Sequence, residues 1–285
     1  MKKILVPVDF SEVSISAAMF AVEIAKMSKA KLILLHSAFF NYYNDISYGM
    51  TYNYQPLIEE FEREINEKLE GLRKRVAADV ECEICVSGLS LIESIKDIVA
   101  DEGIDLIAVG THGSSGLGEF FIGSNTEKIV RKVKCPVIAI PSKTSVNSIK
   151  KILVPIDIRE IQDELMKKFA QLQKFFSASM EFVWVRTPHN IENEKVVREK
   201  FDSLMKTYGF QDSELCIICS VFPAEGILAY SQESKANMIA MATHARRGIS
   251  HLLAGSMTED TINHISIPVW TYKLDKKVKN IDLFN

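Results

Sequence analysis

Residues 105–136, DLIAVGTHGSSGLGEFFIGSNTEKIVRKVKCP, combine an apolar run, a glycine-rich loop and a helix start in that order. The run at 105–109 predicts a buried strand, and the apolar spacing after Ser124 predicts a helix that Pro136 ends. A helix start offers unpaired N–H groups and a partial positive charge, and glycines let the main chain approach a ligand closely. The stretch therefore predicts an anion site, for which phosphate is the natural ligand.

The glycine spacing of this loop differs from that of the common phosphate loops. Gly110, Gly113 and Gly123 followed by Ser124 match neither the GxxxxGK(S/T) of a Walker A loop nor the GxGxxG of a dinucleotide fingerprint. Ser124 also has a second interpretation, because Ser124 and Glu127 form the S-x-x-E pattern of a capping box. Capping and ligand binding are compatible roles for one serine.

The chain contains the same pattern twice, which indicates an internal repeat. Three blocks recur in the same order. KKILVPVDFSE at 2–12 returns as KKILVPIDIRE at 150–160, and IAVGTHGSSG at 107–116 returns as IAMATHARRG at 239–248. The third block, GSNTE at 123–127, returns as GSMTE at 255–259. The first copy is longer, and we assign most of its additional residues to an aromatic segment at 41–56 that follows neither helical nor strand spacing. This segment is a candidate lid or partner surface, with burial over the domain's own core as the alternative.

Each copy alternates apolar strands with amphipathic helices. This alternation predicts an α/β fold, with two tandem doubly wound domains that each hold a five-stranded parallel sheet. Ligands of such sheets bind beyond the carboxyl ends of the strands. The expected boundaries are domain 1 at 1–142, a polar linker at 143–149, domain 2 at 150–273 and a charged tail at 274–285.

Charge and hydropathy narrow the class of protein. The 285 residues carry a formal net charge of −3, so the chain lacks the basic surplus that favours nucleic acid or an anionic membrane as a partner. No apolar run reaches the roughly 18 residues of a membrane span, and the amino-terminal apolar run is too short for a signal peptide. We therefore expect a cytoplasmic protein that binds neither nucleic acid nor membrane.

The five cysteines suit a reducing compartment, because their number is odd and disulfides are rare in the cytosol. They form two CxxC pairs, Cys82 with Cys85 and Cys216 with Cys219, and leave Cys135 alone. The two pairs stand much farther apart than the roughly 15 to 20 residues of a zinc ribbon. Both pairs fall in strand-like runs, where residues three apart point to opposite faces. We therefore expect buried strand cysteines and no metal site.

Two further blocks accompany the glycine pattern in the first copy, VPVDFS at 6–11 and LLHS at 34–37. Together with G-2x-G-9x-G-(S/T) at 110–124, they make the chain resemble the universal stress protein family, as two tandem copies along nearly its whole length. The resemblance implies an adenine nucleotide at the strand ends, with ATP as the expected ligand and ADP or AMP as alternatives. It also implies a pseudo-dimer of the two domains, with antiparallel contact between fifth strands at 137–140 and 269–272.

The resemblance also implies which residues of the first copy bind the nucleotide. From the nucleoside and the adenine, through the loop, to the phosphates, they are Pro7, Asp9, Ser37, Val109, Gly110, Gly113, Gly123, Ser124 and Asn125. An ionised Asp9 can accept a hydrogen bond from a ribose hydroxyl, although a plain helix cap ahead of Ser11 is its alternative role. The loop from Gly110 to Thr126 carries no lysine or arginine, so we expect Mg²⁺ to accompany the phosphates.

The second copy departs from this pattern. Ala242 and Ala245 replace the first two glycines, and an added methyl group blocks the approach of the main chain to phosphate or opposes a positive φ. We therefore expect weak or absent nucleotide binding in this copy. Arg246 and Arg247 could hold another anion by charge, although an exposed arginine pair is more often a solvated loop. The first helix of this copy is expected at 161–176.

The resemblance implies nucleotide-dependent regulation in stress adaptation, with ATP as a conformational ligand. Two alternatives stay open, a slow metal-assisted ATPase and a protein-binding scaffold that works without nucleotide. His112 and His244 recur after the fourth strand of each copy, but no Ser/His/Asp or Cys/His set accompanies them, so no catalytic residue is named. The expected partners are an adenine nucleotide, an unknown protein and, as an open option, a second copy of the tandem chain.

Overall fold

The computed structural model describes residues 1–38, 55–111, 124–141, 143–188, 191–243 and 265–274. The chain divides into two compact units, Met1–Gly110 (unit 1) and Thr111–Asn285 (unit 2). In both units, strands alternate with helices, which confirms the predicted α/β class. None of the described helices is long and apolar enough to cross a membrane.

In unit 1, the described residues form four strands and three helices. They are β1 (Lys3–Pro7), α1 (Glu12–Ser28), β2 (Lys31–Ser37), α2 (Gln55–Val76), β3 (Cys82–Ser87), α3 (Leu91–Glu102) and β4 (Leu106–Gly110). The strand order is β3-β2-β1-β4, and all three pairings are parallel. The carboxyl ends of the four strands therefore meet at one edge of the sheet.

The apolar pattern of the sequence explains why β1 lies at the centre of unit 1. Ile4, Leu5 and Val6 are fully buried, as a continuous apolar run requires in a parallel sheet covered on both faces. Helix α1 begins immediately after Ser11, whose Oγ accepts a hydrogen bond from the Ser14 N–H at 3.3 Å. This N-cap fixes where the chain turns from the end of β1 into the helix.

The described residues of unit 2 form six strands and four helices, and a short 3₁₀ helix (Val146–Ser148) lies in the linker expected at 143–149. The elements are α4 (Ser124–Lys132), β5 (Val137–Ile140), β6 (Lys151–Pro155), α5 (Asp163–Phe176), β7 (Ser179–Arg186), α6 (Glu194–Tyr208), β8 (Ser213–Cys219), α7 (Pro223–Glu233), β9 (Met238–Thr243) and β10 (Val269–Lys273). The strand order is β5-β10-β9-β6-β7-β8. The five strands of the second copy pair in parallel, as predicted.

Strand β5 of the first copy pairs antiparallel with β10, the last strand of the second copy. Trp270 lies opposite Ile138, and Val269 lies opposite Ala139. This pairing confirms the contact predicted between the two fifth strands. This pairing also explains why β5 belongs to unit 2, whose boundary precedes Thr111, because β5 is hydrogen-bonded to a strand of the second copy.

Two predicted element boundaries are wrong in an informative way. Helix α2 begins at Gln55, so the end of the segment at 41–56 is helical rather than irregular, while residues 41–54 lie outside the described residues. Helix α5 begins at Asp163 rather than at 161, and Gln162 takes the N-cap position without a side-chain cap bond.

The prediction of buried strand cysteines is wrong for both CxxC pairs. Cys82, Cys85 and Cys216 are only partly buried, and Cys219 is exposed, whereas Cys135 is buried but lies outside the strands. The reason is the strand order, since β3 and β8 are the outermost strands of their units. Burial nevertheless raises the pKa of the Cys82 thiol to about 11, which disfavours the reactive thiolate. Within the described ranges, no group of three His, Cys, Asp or Glu side chains is arranged to hold a metal ion.

Helix α1 packs against β4 at a point where the main chains nearly touch. A Cβ built on Gly110 would lie 2.5 Å from the carbonyl oxygen of Val13 and 2.9 Å from the nitrogen of Ser14. Side-chain atoms essentially never approach main-chain atoms this closely. Gly110 therefore lets the first turn of α1 lie directly on the end of β4.

Replacing Gly110 by alanine should destabilise the protein. Because the new methyl group meets main-chain atoms of Val13 and Ser14, α1 or β4 must shift, and we expect the free energy of unfolding to fall by about 1–3 kcal/mol. Urea unfolding followed by circular dichroism measures this change.

The matched control is Gly71→Ala on the exposed side of α2, where an added Cβ meets nothing within 4 Å. This substitution should stabilise the protein by about 0.5–1 kcal/mol, because alanine has the better helix propensity. Equal effects of the two substitutions would contradict the close contact at Gly110.

Candidate functional site

The sheet of unit 1 gathers five of the predicted binding residues at one edge. Pro7 ends β1 and Asp9 follows it, Ser37 ends β2, and Val109 and Gly110 end β4. Because β1 pairs in parallel with both β2 and β4, these three chain ends are neighbours. The structure therefore brings together the residues that the sequence assigned to the nucleoside and to the start of the loop.

Asp9 is exposed at this edge and is held by the turn that follows it. Its Oδ1 accepts hydrogen bonds from the Ser11 N–H at 3.0 Å and from the Ser11 hydroxyl at 2.5 Å. Partial burial by itself would raise the pKa of Asp9, but the hydrogen bonds from Ser11 and Ser14 outweigh it and lower that pKa. The carboxylate is therefore ionised at neutral pH.

These contacts also settle the alternative role considered for Asp9. The residue that caps α1 is Ser11, and Asp9 bonds to Ser11 rather than to the free amides of the helix. Asp9 therefore orients the cap but is not the cap. Its carboxylate is bonded only to uncharged groups and has no ion pair among the residues that the structure describes.

Phe10 has a left-handed backbone conformation, with φ of 65°, that is unusual for an aromatic residue. Its ring lies 5.0 Å from the ring of His36, centroid to centroid. His36 is fixed in turn, because its Nδ1 lies 2.8 Å from the Val8 carbonyl oxygen. Strained backbone is often found at ligand sites, and here it directly follows Asp9 while the ring of Phe10 packs against His36.

Ser37 is fixed by a serine-rich loop between β3 and α3. Its hydroxyl donates a hydrogen bond to the Leu89 carbonyl at 2.7 Å. The Leu89 N–H donates to Ser87 Oγ at 3.2 Å, and the Ser94 hydroxyl donates to the same Oγ at 2.8 Å. The side chain of Leu89 is 47% exposed, so it offers an apolar surface next to a fixed hydroxyl.

The remaining residues of the glycine motif are only partly described. Gly113 and Gly123 lie outside the described residues, as does His112. Ser124 and Asn125 begin α4 in unit 2, as predicted, and Asn125 is exposed. Glu127, the other half of the predicted capping box, pairs with Arg131 at 2.9 Å. Gly110 has a structural role that the sequence did not indicate, since it accommodates α1 as well as lying in the motif.

The matching edge of the second copy has a different arrangement around its aspartate. Arg159 donates from Nε to Oδ1 of Asp157 at 2.9 Å and from Nη2 to Oδ2 at 2.7 Å. Burial would raise the pKa of Asp157, but the bonds from Arg159 and its charge lower it. Both carboxylate oxygens are therefore already paired within the protein.

The helix that follows is also displaced along the chain. Glu160 matches Glu12 in the repeat, but it precedes α5, which begins at Asp163. Ala242, which matches Gly110, is the last residue but one of β9, the fourth strand of this copy. The second copy therefore lacks both the glycine and the early helix start of the first copy, in agreement with the packing role of Gly110. Ala245, Arg246, Arg247 and His244 lie outside the described residues.

Sequence reasoning missed three residues that shape these edges. Arg159 stands where the first copy has Ser11, so an alignment of KKILVPVDFSE with KKILVPIDIRE carried the signal. Leu89 and Phe10 had no such signal, because their roles depend on a main-chain carbonyl and a backbone angle.

Comparison with known proteins agrees with the repeat and the fold. The model of the universal stress protein family matches residues 1–141 and 148–273. Universal stress protein MJ0577 of Methanocaldococcus jannaschii is 31% identical over 163 residues, which cover 50% of this chain and 97% of that protein. Universal stress protein YxiE of Bacillus subtilis is 32% identical over 146 residues, which cover 48% of this chain and 97% of that protein.

A solved structure extends the likeness to both copies. The crystal structure of a universal stress protein from Archaeoglobus fulgidus covers 95% of this chain and 98% of its own, with a TM-score of 0.72 and 20% identity, which shows the shared fold. The single-copy relatives match half of this chain, and the family model matches each copy separately. The chain therefore belongs to the universal stress protein family, as a member with two tandem domains.

Proposed function

We propose that the first copy binds an adenine nucleotide, with ATP as its main ligand, and that the chain is a cytoplasmic regulatory protein of stress adaptation. The observation that carries the proposal is the difference between the two aspartates. Asp9 is exposed, ionised and bonded only to uncharged groups of Ser11 and Ser14, whereas both oxygens of Asp157 are bound by the charged Arg159. Among the described residues, the carboxylate at this fold position therefore has no charged partner in the first copy, whereas in the second copy it is already paired with an arginine.

The described residues fit the nucleoside end of such a ligand. An ionised carboxylate accepts hydrogen bonds only, so Asp9 suits a hydroxyl donor such as ribose. Ser37 and the exposed side chain of Leu89 offer a polar atom and an apolar surface at the neighbouring strand end, as a purine base requires. Pro7 and Val109 are buried beneath this edge and support it.

The phosphate end of the proposal rests on the sequence motif. We assign the phosphates to Gly113, Gly123, Ser124 and Asn125, whose main-chain amides and hydroxyl are suitable donors. Since residues 110–126 contain no lysine or arginine, a divalent cation such as Mg²⁺ would supply the positive charge. We expect the affinity for ATP to fall when Mg²⁺ is removed.

The physical effect of the nucleotide would be to stabilise the state that binds it. A ligand at one hundred times its Kd stabilises the bound state by about 2.7 kcal/mol. The turn from Asp9 to Ser11 leads directly into α1, which lies on β4. Binding at Asp9 can therefore change the population of conformations without any chemical step, which is sufficient for a regulatory role.

Freshly purified protein should contain bound adenine nucleotide. We expect denaturation and chromatography to release ATP or ADP at up to about one molecule per chain, because this proposal provides one complete site. The Gly113→Arg variant should release much less, since its side chain would occupy the loop. If the wild type releases none and does not bind added Mg-ATP, the nucleotide proposal is wrong.

Removing the charge of Asp9 should weaken binding selectively. We expect Asp9→Asn to raise the Kd for Mg-ATP about tenfold, because the variant loses a charge-assisted hydrogen bond to the ribose. Isothermal titration calorimetry on protein freed of nucleotide measures this change.

Asp157→Asn is the matched control, because it makes the same substitution at the same place in the repeat. Its Kd for Mg-ATP should equal that of the wild type, since Arg159 already occupies Asp157. Equal losses of affinity in the two variants would contradict the assignment of the site to the first copy.

A further inference from the structure

The second copy contains two buried hydrogen-bond donors on one strand for which the described residues provide no acceptor. Trp184 and Arg186 are two residues apart on β7, so they share one face of the strand. Trp184 is 1% exposed, and neither its Nε1 nor the Nε of Arg186 has a hydrogen-bond partner within the described part of the chain. The guanidinium carbon of Arg186 lies 5.9 Å from the centre of the Trp184 ring.

Buried donors of this kind are rare, because leaving one unpaired sacrifices the bonds that it makes with water in the unfolded chain. The first copy shows how the same position is satisfied. His36 matches Trp184 in the repeat, and its Nδ1 pairs with the Val8 carbonyl at 2.8 Å. Ala38 matches Arg186, so the first copy has no second donor there. The pair of unsatisfied donors is specific to the second copy.

The positive charge of Arg186 can pair with an additional anion, because its neighbouring carboxylate is shared with a second arginine. The nearest carboxylate is that of Glu194, whose Oε2 lies 3.9 Å from the Nη2 of Arg186. Oε1 of Glu194 accepts hydrogen bonds from the Nε of Arg198 at 3.0 Å and from its Nη2 at 2.8 Å. Arg198 therefore compensates the charge of Glu194, and Glu194 makes no bond to the Nε of Arg186. Arg159 pairs with Asp157 and therefore does not change the charge balance around Arg186.

The position in the fold also favours negative charge. Arg186 is the last residue of β7, and α6 begins a few residues later at Glu194 with Asn193 as its N-cap. A helix start carries a partial positive charge. The site thus combines a guanidinium group, two orphaned N–H donors and a nearby helix start at the carboxyl end of a parallel strand.

We propose that the second copy binds a small oxyanion, a carboxylate or a phosphate, through Trp184 and Arg186. One oxygen accepts from the Trp184 Nε1–H, and a second accepts from the Arg186 Nε–H. The ligand satisfies both donors at once and pairs with the guanidinium charge. This site is separate from the nucleotide site proposed in the first copy and uses a different recognition chemistry.

Nuclear magnetic resonance of the indole N–H groups provides a direct test on the full chain. The protein contains two tryptophans, Trp184 and Trp270, so a ¹⁵N-labelled sample gives two indole signals that Trp270→Phe assigns. Inorganic phosphate and acetate are titrated separately at constant ionic strength, with chloride as the balancing salt. We expect the Trp184 indole signal to move with saturation, while the Trp270 signal stays in place.

Two variants and one control give the test its specificity. Arg186→Gln removes the guanidinium group, and Arg186→Lys keeps the charge but removes the Nε–H, so both should weaken the anion at least about tenfold. Lys195→Gln removes one exposed positive charge on the neighbouring helix and should bind as the wild type does. The Trp270 signal and the amide spectrum report whether each variant is folded.

The outcomes separate cleanly. Saturation with phosphate alone or with acetate alone supports the proposal and identifies the ligand class, and saturation with both supports the shared oxyanion chemistry. Absence of a Trp184 shift with either anion overturns the proposal. So does an equal shift with chloride, or an unchanged affinity in the folded Arg186 variants.

Discussion

The contact between the first turn of α1 and the end of β4 is the constraint on which the candidate site depends. It is a contact between main chains, made at Gly110, where a Cβ would lie 2.5 Å from the Val13 carbonyl oxygen. Because the helix starts so close to the strand, the connection from β1 must turn sharply within a few residues. Phe10 makes that turn by adopting a positive φ, and Asp9 accepts a hydrogen bond from the Ser11 N–H. The geometry of the acidic side chain is therefore a consequence of helix packing.

The second copy shows what happens when this constraint is removed. Ala242 stands in place of the glycine, α5 begins later in the repeat, and the aspartate that remains is paired with an arginine. These three changes are physically related. A helix start that is not pressed against the fourth strand leaves a longer turn, and Arg159 in that turn can fold back onto Asp157. Duplication has kept the sheet while the chemistry at its edge has diverged.

Much of the fold could be predicted from the sequence, because it depends on patterns that are local or repeated. Alternating strands and helices give the α/β class, and the repeated blocks give two copies with the same strand order. The pairing of β5 with β10 followed from the family resemblance. The exposure of Cys219 was not accessible in this way, since whether a strand is central or at an edge depends on the order of all strands in the sheet.

The candidate site was predicted less completely, for a similar reason. Asp9 and Ser37 were predicted from the family resemblance, which rests on sequence blocks that end at these strand ends. The role of Gly110 was not, because its contact with Val13 joins segments far apart in the chain. The Arg159 ion pair was also missed, since two adjacent opposite charges specify a bidentate bond only when the backbone between them is known. The sequence indicates which residues lie at the edge of the sheet, and tertiary contacts determine which of them can still bind a ligand.

The antiparallel pair of β5 and β10 has a consequence for synthesis on the ribosome. Thr271 bonds to the carbonyl of Val137 across a sequence separation of 134 residues, so the two partners are made at very different times. The edge of β5 that pairs with β10 stays unpaired until almost all of the described chain has emerged from the ribosome. Contacts of such long range form slowly, and an open strand edge invites pairing with other chains. Completion of the last strand is therefore also the step that closes the first copy's exposed edge against aggregation during translation.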